Sequence, residues 1–238
     1  MKRSGSFLIG LALIGLACWP VTTRFGVDYR WSSRRITLFE KAVHFLSRDL
    51  QTRRLVAELT RGARGADEKL LRLFDWTVVH VRATPPGLPV VDDHPWHIIV
   101  RGYGAPDQRA EALALLASYA GFRAAAAALY APGTDHRILV TVVRDGSRTF
   151  VFDVNNDIAF RKGRNALADV REVAANPDLI PTAARSLTID GVPYERYLAG
   201  LASLAPGFQR MEAQKPWPRL KQELSHRLAP RPPAEAGR

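Results

Sequence analysis

The chain has 238 residues, of which 47% are hydrophobic and 9% aromatic, so it can bury one core but is too short for two large domains. Its formal net charge is +11, yet the arginines are spread along the chain without interleaved aromatic residues, and we therefore expect no nucleic-acid partner. A single cysteine, Cys18, excludes an internal disulfide and a thiolate metal cluster.

An apolar run from Phe7 to Val21 follows Lys2 and Arg3 at the N-terminus. This pattern is typical of a secretory signal or a short signal anchor. As a helix the run would reach roughly 22 Å, which is shorter than a hydrocarbon core of about 30 Å. We predict that residues 1–33 form a signal or anchor with a juxtamembrane stretch, which places the protein at the inner membrane with its C-terminal domain extracytoplasmic, or exported after cleavage. Cytoplasmic retention and a merely apolar N-terminal helix are the alternatives.

Helices are predicted next along the chain. Residues 34–61 have apolar side chains at alternating three- and four-residue steps, which predicts a helix with one apolar stripe. The stripe consists of Phe39, Val43, Leu46 and Leu50. Asp67 and Glu68 open a second predicted helix, which ends near Val81 before a proline-rich stretch. A third helix is predicted from about Pro106 to Ala120.

The apolar period then changes to two, which predicts strands over Arg123–Tyr130, His136–Arg144 and Arg148–Val154. Asp145 and Gly146 predict a tight two-residue turn between the last two strands. That turn would place Ile138 opposite Asp153, so His136 and Asp153 would share one face as diagonal neighbours. An imidazole and a carboxylate could then meet.

Helices followed by antiparallel strands predict an α+β fold rather than alternating βαβ units. We predict one domain over residues 34–202. Residues 203–238 are predicted to form a basic tail that is partly disordered, because the ending Ala229–Arg238 has too little apolar content to order itself.

Three blocks stand out within residues 70–160: FDWTVVHV, GYGAPDQRAEALALLASYAGFRA and HRILVTVVRDGSRTFVFDV. They resemble the bacterial transglutaminase-like family, whose core is papain-like, and the resemblance implies N-terminal helices packed on an antiparallel sheet. Active members carry a nucleophilic triad of a Cys at the start of the central helix, a His opening a strand and an Asp ending the next strand. By this resemblance His136 and Asp153 match the His and the Asp, whereas Pro106 stands at the position of the Cys.

Proline at position 106 preserves the helix but removes the chemistry. A catalytic cysteine depends on a helix N-terminus and a nearby imidazolium for its low pKa, whereas proline has no ionisable atom and no N–H to donate to an oxyanion. Proline is nevertheless favoured as the first residue of a helix. We therefore expect no cysteine-type catalysis. Asp107 could replace the nucleophile, but a first-turn acid stabilised by the helix dipole is the favoured interpretation.

The segment VVDDHPWHIIV contains four groups that could bind zinc or a similar ion: Asp92, Asp93, His94 and His97. Because Pro95 interrupts the segment, a loop whose polar side chains bond to the backbone is favoured, and we expect no metal and no other cofactor. Three residues are candidates for lining a cleft beside the matched positions: Trp96, Gly104 and Asp107.

Two functions are compatible with these patterns. The GYGxxDQ form of the central block resembles variants found in bacterial envelope and exopolysaccharide proteins. This predicts a non-catalytic, membrane-tethered accessory that binds an envelope protein, a glycan or a peptide and supports polysaccharide production or export. The alternative is a hydrolase or transferase that uses His136 and Asp153 as an acid/base pair, with Asp107 or a metal near His94 and His97. A purely structural periplasmic scaffold is a third interpretation.

Overall fold

The computed structural model describes residues 12–27, 30–90, 94–204 and 206–228. Within these residues, helices pack against an antiparallel sheet, so the predicted α+β class is confirmed. Residues 12–17, in the second half of the apolar N-terminal run, are helical, whereas the first part of the run lies outside the described residues. No helix in the described ranges is long and apolar enough to cross a membrane.

A β-hairpin precedes the first long helix. Strand β1 (Pro20–Val27) pairs antiparallel with β2 (Arg30–Thr37), and helix α1 (Leu38–Leu59) follows directly. Thr37 caps this helix, because its Oγ1 accepts from the Glu40 N–H at 3.1 Å while the Glu40 carboxylate accepts from the Thr37 N–H at 2.8 Å. The helix therefore starts four residues later than the sequence predicts, and a strand occupies the predicted juxtamembrane stretch.

Three further helices lead to the sheet: α2 (Ala66–His80), α3 (Pro95–Arg101) and α4 (Pro106–Tyr119). Helices α2 and α4 confirm the predicted ones. The loop predicted around His94 is wrong for its second half, because Pro95 takes the first helical position of α3 and His94 caps it. A short parallel pair links the helices, formed by β3 (Arg82–Ala83) and β4 (Tyr103–Gly104).

The main sheet has four antiparallel strands in the order β5-β6-β7-β8. These are β5 (Arg123–Tyr130), β6 (Arg137–Asp145), β7 (Arg148–Asp153) and β8 (Ile158–Ala159). The first three agree with the predicted strands to within one residue at each end, because their apolar and β-branched residues leave no competing periodicity.

The predicted register of the β6–β7 hairpin is wrong. Asp145 pairs with Arg148, so the turn is centred on Gly146 and Ser147 rather than on Asp145 and Gly146. Of the central residues only Gly146 has a positive φ, of 58°, as in turns that take glycine at the first central position. Each residue of β6 therefore pairs with a residue two positions further along β7 than predicted.

The two faces of the sheet belong to two cores, because successive side chains of a strand point to opposite sides. The face against α4 presents Val143, Phe150 and Phe152. The opposite face presents Val140, Val142 and Val151, and segments between residues 168 and 201 cover it.

Short elements complete the described chain. They are β9 (Arg161–Gly163), β10 (Ala166–Leu167), α5 (Val170–Ala175), the 3₁₀ turn Pro177–Leu179, α6 (Thr182–Arg185), β11 (Thr188–Ile189), β12 (Val192–Pro193), α7 (Tyr194–Leu198), the 3₁₀ turn Ala199–Ser203, α8 (Gln209–Glu212) and α9 (Pro216–Leu228). Met211 is 2% exposed in the α4 core, and Lys215 Nζ donates to the Ser118 carbonyl at 2.7 Å. The packed domain therefore continues past residue 202, where the sequence predicts a tail. The ending Ala229–Arg238 lies outside the described residues.

Candidate functional site

The N-terminus of α4 carries Pro106, the residue that the resemblance matches to a nucleophile. Pro106 occupies the first helical position and is exposed. Gln108 stabilises this end of the helix, since its Oε1 accepts from the Ala105 N–H at 3.1 Å. The fixed φ of proline suits this position, and no helical hydrogen bond is lost there.

Asn155, just beyond β7, ties the start of α4 to strand β6. Its Nδ2 donates to the Pro106 carbonyl and to the Leu139 carbonyl, each at 3.1 Å. Its Oδ1 accepts from Arg109 Nη1 at 3.2 Å, while Arg109 Nε donates to the Val81 carbonyl at 2.8 Å. Burial lowers the pKa of the Arg109 guanidinium. These groups hold the backbone of α4, β6 and the end of α2 together at this point.

Asn155 and Arg109 are not among the site residues predicted from the sequence. Two signals were available: an arginine in the first turn of a helix whose later residues are mostly apolar, and two asparagines directly after a buried strand. Both patterns leave a polar side chain near buried backbone, where it needs a hydrogen-bond partner.

Asp153 ends β7 and is only 1% exposed. Its Oδ1 accepts from the Asn155 N–H at 2.9 Å and the Asn156 N–H at 3.1 Å. Its Oδ2 accepts from Asn156 Nδ2 at 2.8 Å and from the Tyr194 hydroxyl at 3.1 Å. Burial raises the pKa of the Asp153 carboxyl, and the hydrogen bonds from Asn156, Tyr194 and Asn155 oppose that rise. Burial and the Asp153 charge raise the pKa of Tyr194.

His136 lies immediately before β6 and is exposed. Its backbone is held in the preceding turn, because its N–H donates to Thr134 Oγ1 at 3.3 Å and its carbonyl accepts from the Ala131 N–H at 3.0 Å. No residue in the described ranges forms a hydrogen bond with its imidazole. The ring is therefore on the surface rather than in a catalytic pair.

The structure does not bring His136 and Asp153 together. Extending the observed register by one residue places Val140 opposite Asp153, so His136 is four residues away along β6, or about 13 Å. Asp153 also points to the face that carries Tyr194, whereas α4 packs on the other face. The predicted diagonal contact is thus wrong, and the three positions of the matched triad do not converge.

The other candidate cleft residues have separate environments. Asp107 is exposed beside Pro106. Gly104 is buried, and a Cβ there would lie 2.9 Å from Ile98 Cγ2 and 3.0 Å from Gln108 Cβ. Trp96 is half-buried and packs against the α4 core. Of the three, Asp107 is the one that faces solvent.

The histidines of the candidate metal segment serve the helix instead. His94 Nδ1 accepts from the Trp96 N–H at 3.2 Å, and the His94 and His97 ring centroids lie 5.2 Å apart. Within the described ranges, no group of three or more His, Cys, Asp or Glu residues is placed to hold a metal ion. Asp92 and Asp93 lie outside those ranges.

A polar surface and a cavity meet at Tyr130, the last residue of β5. Arg137 Nη1 donates to the Tyr130 hydroxyl at 3.4 Å, and this bond, with a smaller contribution from the Asp107 charge, raises the pKa of Arg137. Tyr130, 50% exposed, also borders a cavity of about 330 Å³. The remaining lining residues are Ala126, Ala127, Ala128, Gly200, Leu204, Pro206 and Gly207. We call Asp107, Tyr130, Arg137 and this cavity the β5 surface.

No protein-family model matches the chain, and no curated protein matches its sequence. Among solved structures, it is similar to a candidate cysteine protease from Cytophaga hutchinsonii, with 16% identity and a TM-score of 0.40 over 56% of this chain and 48% of that one. A candidate protease from Parabacteroides distasonis ATCC 8503 gives 15% identity and a TM-score of 0.35 over 55% of this chain and 35% of that one. The chain thus spans about half or less of these proteins, and likeness at this level does not bear on its activity.

Proposed function

We propose that this chain is a non-catalytic, membrane-tethered transglutaminase-like protein that acts as a binding or assembly accessory in the cell envelope. The proposal rests on the environment of the three residues that the resemblance matches to a triad. Pro106 has no group to ionise, the Asp153 carboxylate accepts four hydrogen bonds from its own neighbours, and His136 is exposed about 13 Å away along β6.

The alternative is a hydrolase or transferase that uses His136 and Asp153. It requires the two side chains to lie within hydrogen-bond distance of each other, and they do not. A general base must lie within hydrogen-bond reach of the group that orients it and of the proton it removes. His136 would have to move along the strand, and Asp153 would have to release its present donors. Loss of those donors would leave a buried carboxylate without partners, which is costly.

The β5 surface is the best-supported place for a ligand. A cavity of about 330 Å³ falls within the volume of small-ligand sites, and the alanines Ala126, Ala127 and Ala128 of the edge strand β5 form part of its lining. The exposed ring of Tyr130 offers an apolar face, and Arg137 and Asp107 add charges of both signs. These groups suit a glycan or a peptide.

The envelope setting is supported by the N-terminal sequence and by the resemblance. The basic start and apolar run would place the domain on the far side of the inner membrane. The GYGxxDQ form of the central block points to surface polysaccharide as the process served. Fold resemblance alone does not fix a function, so this step requires a direct test.

The test combines binding, turnover and complementation. The purified chain should bind fragments of the host's surface polysaccharide without cleaving them, and should be inert towards amide and ester substrates. Tyr130→Ala should weaken binding about tenfold, the usual scale for a central aromatic contact, whereas the exposed Arg171→Ala should not. Deletion of the gene should reduce surface polysaccharide, and wild type and Arg171→Ala, but not Tyr130→Ala, should restore it.

Two results would contradict the proposal in different ways. Turnover that disappears in His136→Ala, with folding verified by circular dichroism, would favour the enzymatic alternative. A deletion strain with normal surface polysaccharide would show that the chain serves another process, even if the β5 surface binds a ligand.

A further inference from the structure

Helix α1 carries two apolar faces, and only one of them packs against the protein. The packed face includes Val56, Leu55 and Leu59, which meet the α4 core. The other face is the stripe identified in the sequence: Phe39, Val43, Leu46 and Leu50, exposed by 62%, 44%, 55% and 49%. We call these four residues the α1 stripe. It extends along roughly 17 Å of helix.

A backbone hydrogen bond joins the start of α1 to the apolar N-terminal run. The Leu38 N–H at the start of α1 donates to the Trp19 carbonyl at 2.9 Å, and Trp19 is itself 64% exposed. Leu13, Ile14 and Leu16, in the helical stretch before Trp19, are also more than half exposed. An exposed tryptophan in the run that resembles a membrane signal is thus bonded through its backbone to the first residue of α1. Tryptophan is enriched at membrane–water interfaces, where the lipid headgroups meet the acyl chains.

The charges around the stripe are predominantly positive. Residues 30–61 contain eight lysines and arginines against three acidic residues, a net formal charge of +5. Arg34 and Arg35 precede the stripe and Arg54 follows it, and all three are exposed. Helix α9, which contacts α1, has the same character, with Trp217, Leu220 and Leu224 exposed beside Lys221.

We propose that α1 lies flat on an anionic lipid bilayer, with the α1 stripe buried among the headgroups and the flanking arginines paired with lipid phosphates. An apolar stripe on a basic helix is the pattern of interfacial helices. Charge disfavours the other simple occupant, a second copy of the chain, because joining two such stripes would bring the exposed flanking arginines Arg34, Arg35 and Arg54 of both copies together.

The inference adds a second membrane contact to the tether of the proposed function. It rests on the proposed function, because the tether is what brings the domain to a bilayer. The tether concerns the N-terminal run, whereas the inference concerns a helix of the folded domain. Flotation of the whole chain with vesicles tests the first, and a probe on α1 tests the second.

The experiment uses the full chain with Cys18→Ser, to which one cysteine is added at an exposed site. Leu46→Cys places an environment-sensitive dye on the stripe, and Gln51→Cys places it on an exposed polar side of the same helix. Vesicles contain phosphatidylglycerol and phosphatidylethanolamine, with nitroxide on the acyl chains as quencher. Nitroxide quenching of the dye at position 46 should exceed that at position 51 by at least about threefold, and iodide should reach only the latter. Vesicles of phosphatidylcholine alone, or high salt, should weaken the effect at position 46.

Two outcomes would overturn the inference while leaving the tether intact. One is a chain that floats with the vesicles while iodide still reaches the dye at position 46. The other is a dye at position 46 that is shielded without vesicles and increasingly so at higher protein concentration, which would assign the stripe to a second copy. Failure of the chain to float would overturn both the tether and the inference.

Discussion

Asp153 serves as a structural group, because its buried carboxylate is held by hydrogen bonds from its surroundings. Two backbone N–H groups, one side-chain amide and the Tyr194 hydroxyl all donate to its carboxylate. Together they hold the turn after β7 and join it to the segment that covers the second core. The carboxylate is nevertheless buried, and burial raises its pKa above the ordinary value of 3.8.

The raised pKa of Asp153 predicts a particular pH dependence of stability. A folded-state pKa above the unfolded one means that this group's contribution to stability is complete below pH 3.8 and is lost as pH rises through the folded value. Asp153→Asn removes this titration. Urea unfolding over a pH series should therefore show the free energy of unfolding of wild type falling, relative to Asp153→Asn, as pH rises above 3.8, by up to about 1.4 kcal/mol per unit of pKa shift.

Tyr194→Phe provides the matched control for this prediction. It removes one donor that favours the ionised carboxylate, so the pKa of Asp153 should rise further and the decline should extend to higher pH. A free-energy difference between wild type and Asp153→Asn that is constant across pH would contradict the assignment.

The resemblance of the third block identifies Asp153 as a candidate residue, but the sequence does not reveal its hydrogen-bond partners. The decisive residue is Gly146, because its positive φ moves the centre of the turn by one position and the pairing of β6 with β7 by two. A shift of two residues keeps every side chain on its face, so the apolar alternation reads the same in both registers. The two registers differ in which residues pair, and therefore in the distance between His136 and Asp153. The strands were therefore predictable from sequence, and the pair was not.

At the scale of elements, the same limit applies to α1. Its stripe has the period of a helix, which predicts the helix correctly. A second apolar face lies on the opposite side of the helix and is equally suited to pack in the core, so the sequence does not show which face is buried. Asp49 settles the choice: its Oδ1 accepts from the Tyr119 hydroxyl at 2.9 Å and its Oδ2 from Arg53 Nε at 2.8 Å, so this face turns inwards. Partners that are distant in sequence decide which face packs.

The junction of α3, β4 and α4 depends on the absence of a side chain at position 104. A Cβ on Gly104 would approach Ile98 Cγ2 to 2.9 Å and Gln108 Cβ to 3.0 Å, closer than packed side chains tolerate. We expect Gly104→Ala to lower the free energy of unfolding by about 1–3 kcal/mol, because the two helices must separate. Chemical denaturation measures the change.

Gly163→Ala is the matched control, since a Cβ there has open space around it and the residue lies on an exposed strand. Its effect should stay within about 0.5 kcal/mol. Equal effects of the two substitutions would mean that Gly104 is not a packing constraint. They would favour the prediction from the sequence that Gly104 lines an open cleft.

At the scale of the whole molecule, the sheet separates two cores, and the chain after residue 202 returns to the first of them. The Tyr119 hydroxyl donates to Asp49 and contacts the Gln214 carbonyl at 3.0 Å, so α1, the end of α4 and the segment before α9 meet at one residue. The sequence predicts a basic, partly disordered tail over residues 203–238, on the basis of the low apolar content of Ala229–Arg238. Two buried residues, Phe208 and Met211, together with hydrogen bonds to backbone carbonyls, anchor this segment.

Met211 tests whether this C-terminal segment is part of the folded domain. The side chain is 2% exposed within the α4 core, and Met211→Ala would leave a cavity there. We expect a loss of about 2–5 kcal/mol in the free energy of unfolding, measured by chemical denaturation. Leu224→Ala removes an apolar side chain that is 50% exposed on α9, and its cost should stay below about 0.5 kcal/mol. If Met211→Ala were equally neutral, residues 203–228 would be an appendage after all, and the domain would end where the sequence placed its boundary.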